Sequence, residues 1–319
     1  MRASLQVNVA PPDLPHARHT LPHQMRVWSA QVDEIVFTYD TTRPSRGRFA
    51  ATWEQHRPGM DALLAALCAE HPHARIAEVD PSPATVAAVA RAFLAADHVP
   101  AKDSRGGPMY SYFFGLHDAR SDLILHTDSD MLFGGGSQHW LAEAAALLAE
   151  HPDVLFAGPL PGPPHPRGVL PEQPVARPVA GLDNTHAFPT VTTRVFLVDR
   201  VRLRERLGPL PLLPPVLRRS RLKAAVNRHP PYAMPEQLIS SAMAEHGALR
   251  VDLLGSDPGM WSLHPADRSP NFYAALPRVV DRVESGDMPP GQLGVYDVGS
   301  ELVDWSDVVR PGPLRRLLT

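Results

Sequence analysis

The sequence predicts an α/β fold, a Rossmann-like mixed central sheet flanked by helices in a single domain, and three observations lead to it. Strand-like and helix-like segments alternate along the chain. One apolar run, residues 122–127, leads straight into two closely spaced acids, as strands of open α/β sheets do at a binding edge. Apolar residues make up 44% of 319, enough to bury a full core.

Each element follows from its own pattern. Residues 5–9 alternate as a first strand, and residues 16–31 form the first crossover helix, although Pro22 removes a backbone donor inside it. Residues 34–39 read as a buried strand. Met60, Leu63, Leu64 and Leu67 recur at helical spacing until His71-Pro72 ends the helix, and residues 75–79 make the next strand. Ser82 caps a helix that Pro83 opens, with Val86, Val89, Ala90, Phe93 and Leu94 inward. A shorter helix covers 107–117, and 122–127 is the central strand. Trp140, Leu141, Ala144, Leu147 and Leu148 mark a helix ended by His151-Pro152, and residues 154–157 are one more strand.

The second half is less regular. Proline crowds residues 158–178, which read as a loop. Residues 190–198 read as a strand, and Gly208, Pro209, Pro211, Pro214 and Pro215 then break regular structure. Arg218, Arg219, Arg221, Lys223 and Arg228 form a basic stretch, read as a solvated loop. The alternative is contact with an anionic acceptor or a membrane surface, because Leu210, Leu212, Leu213 and Leu217 precede it. Pro235 opens a helix with Leu238, Ile239, Ala242 and Met243 inward, closed by Gly247. Residues 250–254 are the last expected strand. The domain is expected to span 1–276, followed by a C-terminal tail over 277–319.

Composition narrows the function. A formal charge of −3 offers no global field for nucleic acid, so none is expected as a partner. The single cysteine, Cys68, lies on a helical apolar face and reads as a core filler, so no disulfide framework or cysteine zinc site is expected. No apolar run approaches the roughly 18–20 residues of a transmembrane segment, and no signal-peptide pattern follows Met1, so a cytoplasmic location is expected.

The chemistry concentrates in Asp122-Leu123-Ile124-Leu125-His126-Thr127-Asp128-Ser129-Asp130. Two carboxylates one residue apart, at the carboxyl end of a buried strand, face a cleft rather than the core. They suit a hard divalent cation that leaves positions open for phosphate oxygens. Such a cation neutralises charge on a diphosphate leaving group. His126, inside the strand, reads as a satisfied core histidine, and Trp140 and Trp261 as core packing.

Together with Arg105-Gly106-Gly107-Pro108-Met109-Tyr110 and the helix after it, this segment resembles the donor-binding half of a GT-A glycosyltransferase, in particular the large inverting family 2. The likeness runs over roughly residues 4–265 and is tight only at the Asp-X-Asp segment. It implies an enzyme that uses a nucleoside-diphosphate sugar donor, a small-molecule or glycan acceptor, and Mn²⁺ or Mg²⁺. By the same likeness Asp130 is a direct metal ligand, Asp128 contacts the ribose or the metal, and Ser129 stands between them on the donor. Ala10 and Pro11, after the first strand, stand where the family cradles the base. Asp40 ends the second strand near the base, or simply starts the turn that runs to Pro44. His264 completes the metal site, or is a loop histidine. Glu236, at a helix start, is the base that takes the acceptor proton, or an ordinary acid favoured by the helix dipole; Gln237 departs there from the family's usual Asp. Arg105 with its glycines approaches the diphosphate, or makes a plain turn. Gly134-Gly135-Gly136 is a flexible loop near the sugar, or a helix lead-in. Two other activities remain open: a sugar-1-phosphate nucleotidyltransferase, disfavoured by Ala10-Pro11-Pro12-Asp13 in place of a glycine-rich loop, and a catalytically silent nucleotide-sugar-binding protein.

Overall fold

A computed structural model describes residues 2–43 and 50–308. The first half alternates β1 (Ala3–Val9), α1 (Leu14–Trp28), β2 (Glu34–Tyr39), α2 (Trp53–Glu70), β3 (Ala74–Glu78), α3 (Pro83–Phe93), α4 (Tyr110–Asp118) and β4 (Leu123–Asp128). Then come β5 (Leu132–Gly134), α5 (Trp140–Glu150), β6 (Val154–Pro161), β7 (Arg177–Pro178), β8 (Thr185–Phe188), β9 (Val195–Asp199) and α6 (Arg200–Leu207). The last part holds α7 (Arg218–Asn227), α8 (Pro235–His246), β10 (Leu249–Leu253), β11 (Trp261–Leu263) and α9 (Pro270–Ser285).

The sheet runs β3-β2-β1-β4-β9-β6-β10-β8-β7, with β11 pairing β5 and β6. β1 pairs in parallel with β2 on one side and β4 on the other, so Val9 lies opposite Tyr39 and Asn8 opposite Asp128. The chain winds outward from β1 to β3 and returns to the other side of β1 at β4. That reversal is a topological switch point, and it opens a crevice at the carboxyl ends of β1 and β4.

Both faces of the sheet are covered. Leu5, Val7 and Val9 of β1 point into a cluster with Leu21 and Trp28 of α1, Leu64 of α2 and Trp140 of α5. On the other face Phe113 of α4, Val89 and Phe93 of α3 and Ile239 and Met243 of α8 pack together. Ser4 and Gln6 of β1 are polar yet buried, so they find partners: Ser4 Oγ donates to Glu34 at 2.6 Å and Gln6 Nε2 to Thr38 Oγ1 at 2.8 Å. Gly115 lets α4 lie directly on this polar face, because a Cβ there would stand 2.4 Å from Gln6 Nε2.

The local signals act as expected at several ends. Ser82 Oγ accepts from Thr85 N at 3.4 Å, and Gly247 takes the left-handed conformation after α8. Four expectations are corrected. β6 continues through Gly158 and Pro159 to Pro161 instead of ending at 157. Within β6 only Phe156 and Ala157 pair with β9, so the proline-bearing end owes no hydrogen bond on that side. Of the strand expected over 190–198 only the last part forms, as β9 from Val195, while β8 precedes that span and residues 189–194 connect the two. α6 and α7 occupy arginine-rich segments in which apolar periodicity gave no helix signal; Asp199 caps α6, accepting from Val201 N at 2.9 Å and Arg202 N at 3.0 Å.

The fourth correction concerns the end of the chain. β10 is followed by β11, and α9 runs through the expected boundary at 276. Leu276, Val279, Val280 and Val283 are buried with Leu132, Trp261, Val298, Leu302 and Val303 in a third cluster. The expected tail is therefore core as far as residue 303. Pro44 and residues 309–319 lie outside the described residues. Among the described residues no helix is long and apolar enough to cross a membrane.

Candidate functional site

The parallel register brings Ala10, Asp40 and Asp128 to one edge of the sheet, each at or just past the end of its strand. Beyond β4 the chain turns inward. Asp130 is fully buried, and its Oδ2 accepts from Arg268 Nε at 2.9 Å and Nη2 at 2.5 Å. His264 Nε2 stands 3.7 Å from the same oxygen. Burial alone would raise the Asp130 carboxyl, but Arg268, His264 and His16 outweigh it and hold it well below the usual carboxylate range. Arg268 also reaches Asp13 at 4.0 Å. Burial pushes Asp13 up to about 6 against the pull of Arg268.

The neighbours of this pair are fixed by short-range bonds. Ala10 N donates to Asp13 Oδ2 at 2.9 Å, so the Ala10-Pro11 turn presents Asp13 toward Arg268. His16 is fully buried and bonds Ser129 Oγ through Nε2 at 3.0 Å; burial first, then Arg268, lowers its pKa to about 3, so it is neutral. Ser129 thus faces His16 inside the protein instead of the cleft, which corrects its expected place on the donor. His126 is the satisfied core histidine expected: Nδ1 bonds Gln6 Oε1 and Nε2 lies 2.8 Å from the Thr193 carbonyl.

On the far side, His264 Nδ1 is 3.4 Å from Asp297 Oδ1, and the His264 ring stacks on Tyr296 at 6.0 Å. Asp297 and Tyr296 line a cleft of about 330 Å³ together with Arg194, Glu236, Arg250 and Asp252. Glu236 sits at the start of α8, where its Oε2 accepts from Thr193 N at 3.3 Å. The expected base therefore shares a cleft with Asp297, which touches His264, which faces Asp130. A second depression of about 390 Å³ between α3 and α6, lined by Arg91, Arg204 and Glu205, lies at the opposite edge of the sheet.

The cleft floor is polar and buried. Arg250 Nε and Asp252 Oδ1 approach to 3.0 Å but out of line, so neither atom has a hydrogen-bond partner; Ser262 Oγ has none either. Gly158, opposite Asp252 in the ladder, leaves room for that carboxylate, since a Cβ there would stand 2.5 Å from its Oδ1. Burial pushes Asp252 up to about 6 despite Arg250.

Two expected residues lie apart from this centre. Asp40 makes the turn: its Oδ1 accepts from Thr42 N at 3.0 Å and its Oδ2 is 3.8 Å from Lys102 Nζ. Arg105 is exposed, and the loop that carries it packs on the segment after α7, where Gly106 lies against His229. None of the described contacts carries Arg105 to Asp128 or Asp130. Gly135, in the left-handed conformation, packs against the Gly259 carbonyl, so that triplet is a structured turn before α5.

Asp130 and His264 fit a cation as an open half-site. Asp130 Oδ1 is buried without a hydrogen-bond partner, which a hard cation would satisfy. Arg268 holds the other oxygen, and among the described residues no group of three or more His, Cys, Asp or Glu side chains is gathered closely enough to hold a metal ion. Arg268, Asp13, Asp297, Tyr296 and Arg194 were not singled out in the sequence. Arg268 stands four residues after His264, yet no motif marks it.

No protein-family model matches the chain, and no curated protein matches its sequence. Among solved structures it is similar to GalNAc-T7 with UDP, GalNAc and Mn²⁺, at 12% identity and TM-score 0.45, over 88% of this chain and 48% of that one. It is also similar to S. aureus TarS 1–349 in complex with UDP-GlcNAc, at 13% identity and TM-score 0.38, over 91% and 69%. A third is the galactosyltransferase LgtC with donor and acceptor sugar analogues, at 11% identity and TM-score 0.31, over 64% and 59%. The chain thus spans about half the length of the GalNAc-T7 chain it matches.

Proposed function

We propose that the chain is a glycosyltransferase that moves a sugar from a nucleoside-diphosphate sugar onto a hydroxyl bound in the cleft before Glu236, with inversion. The observation that carries this reading is the continuous path from the switch-point acid Asp130 through His264 and Asp297 into the cleft that holds Glu236. In the reaction Glu236 takes the proton of the acceptor hydroxyl. The acceptor oxygen bonds to the anomeric carbon, and the bond from that carbon to the diphosphate breaks, leaving a nucleoside diphosphate. Ala10, Pro11, Asp40 and Asp128 lie at the edge where the nucleotide would sit. Asp130 and His264, with Asp128 drawn in beside them, would hold Mn²⁺ or Mg²⁺, which when bound supplies positive charge to the departing diphosphate. Arg268 is a second source of that charge, and its planar fork matches phosphate oxygens.

The floor atoms without a well-aligned hydrogen bond suit a hydroxyl-bearing acceptor. Arg250 Nε donates, Asp252 Oδ1 accepts and Ser262 Oγ does either, which complements a pair of alcohol groups. One observation favours a silent nucleotide-sugar-binding protein instead: Asp130 already has a full counter-charge in Arg268.

Donor binding and transfer separate the two. A panel of nucleoside diphosphates, each with Mn²⁺, Mg²⁺ or chelator, should raise the melting temperature for one base. Glu236→Gln should keep that rise and lose transfer by at least about 100-fold, in the range typical of a lost general base. Donor binding with no transfer by the wild type, to any sugar or alcohol offered, leaves the binding-protein reading; full transfer by Glu236→Gln removes Glu236 as the base.

A further inference from the structure

Helix α7 lies on the surface with its apolar side chains turned outward. Ala224 is its one buried residue. Leu222 and Val226 each stand about 160° around the helix from Ala224, at 100° per residue, and are 68% and 56% exposed. Val216 and Leu217, just before the helix, are 75% and 49% exposed. Four of the nine exposed large apolar residues among those described therefore fall in one segment of eleven, 216–226. In α1, α3 and α8 the large apolar residues face the core instead.

The charges around this stripe have one sign. Arg218 and Arg219 flank Leu222 and Val226 on either side at the same wheel angles, and Arg221, Lys223 and Arg228 complete the segment. No acid occurs between Glu205 and Glu236. Among the described residues no ion pair involves Arg218, Arg219, Lys223 or Arg228. Arg221 Nε donates to the Pro215 carbonyl at 2.7 Å. The leucines that suggested a membrane surface in the sequence are not this face: Leu210 is buried, and Leu212 and Leu213 pack against the core.

An outward apolar pair with cations on both sides matches a lipid interface. Short apolar side chains enter the headgroup layer, while arginine stems lie along it and their guanidinium groups stay with the phosphates. A solvated helix needs no outward leucine, and the exposed apolar pair sits on a single convex helix rather than in a groove that would receive a protein segment. We propose that α7 with residues 216–217 is a peripheral docking surface for an anionic lipid bilayer. This surface does not depend on the glycosyltransferase reading. It would set the molecule on the membrane through a helix joined by a short connection to α8, whose first turn carries Glu236.

The test is co-sedimentation of the full chain with vesicles of phosphatidylcholine alone and of phosphatidylcholine mixed with phosphatidylglycerol. The expected result is partition onto the anionic vesicles only, weakened by salt. Each cation near such a surface multiplies partition about fivefold, so Arg218→Glu with Arg219→Glu should reduce it at least about 20-fold by the same scale. Leu222→Ser with Val226→Ser, which keeps every charge, should also lose binding. Both pairs are exposed, so their circular dichroism and melting temperature should match the wild type. Equal sedimentation with and without anionic lipid would overturn the proposal, as would wild-type binding by the apolar variant. So would concentration-dependent self-association abolished by the same serine substitutions, which would assign the face to a second copy of the chain.

Discussion

The Asp130 carboxylate is fully buried, so its energy depends on which cation faces it. In this structure that cation is Arg268, bound through two N–H groups to one oxygen. Removing one partner of a buried pair leaves the other charge desolvated, at a cost of about 3–5 kcal/mol. Arg268→Gln should therefore destabilise the fold by about 3 kcal/mol, and adding Asp130→Asn should recover most of it. A thermal double-mutant cycle reads this coupling directly. The same variant reports on the cation site: with Arg268 gone, Mn²⁺ should raise its melting temperature more than that of the wild type. No response to Mn²⁺ would remove Asp130 and His264 as metal ligands. The acids were legible in the sequence because an apolar strand aims them at a cleft. Arg268 was not, because its position follows from a turn after β11 that brings residue 268 against residue 130, and no periodicity encodes that meeting.

Elements were legible wherever apolar spacing and an end signal agreed. β2 and α8 match their expected bounds for that reason, and α3 begins at Pro83 behind its Ser82 cap. α6 and α7 were hidden because they bury only a few side chains, and arginines interrupt any apolar spacing in the rest. The contact between α1 and α9 was hidden for another reason: it includes a polar cluster that joins His23 and Arg26 of α1 to Glu284, far along the chain. Phe133 N donates to His23 Nε2 at 2.9 Å, so Nε2 is the acceptor and Nδ1 carries the proton it gives to Glu284 Oε1 at 2.7 Å. Arg26 donates to the same oxygen from Nε at 3.0 Å and Nη2 at 2.5 Å. These bonds, that from His23 foremost, lower the Glu284 carboxyl to about 2. A depressed acid stabilises the fold above its unfolded value and loses that contribution as pH falls through the folded one. Glu284 is 35% exposed, so screening limits the effect. Glu284→Ala should cost about 1 kcal/mol at neutral pH, and the gap to wild type should close between about pH 4.5 and 2. A gap unchanged down to pH 2 would mean that the contact is packing and not charge.

At the scale of the whole molecule, the boundary expected at residue 276 cuts through a core. The helical pattern fades there in sequence because Pro277 interrupts it. Proline is tolerated because α9 still presents Phe272, Leu276, Val279, Val280 and Val283 to one side. That side closes over β5 and β11, and Val298, Leu302 and Val303 seal it from the other direction. The same segment supplies Tyr296 and Asp297 to the cleft and returns to β11's end through the His264–Asp297 bridge. A chain ending at 276 would lose Val279, Val280, Val283, Val298, Leu302 and Val303 from that cluster. At about 1.5–2 kcal/mol for each buried side chain, the loss approaches the roughly 5–15 kcal/mol that holds a whole domain folded. Such a chain should be insoluble or lack a cooperative melt, whereas one ending at 308 keeps every described contact and should retain a cooperative melt. Calorimetry of the two decides between core and appendage. A cooperative transition in the shorter chain would make residues 277–308 a separable layer, and the cleft, with its Asp297 wall, an addition to a fold that stands without it.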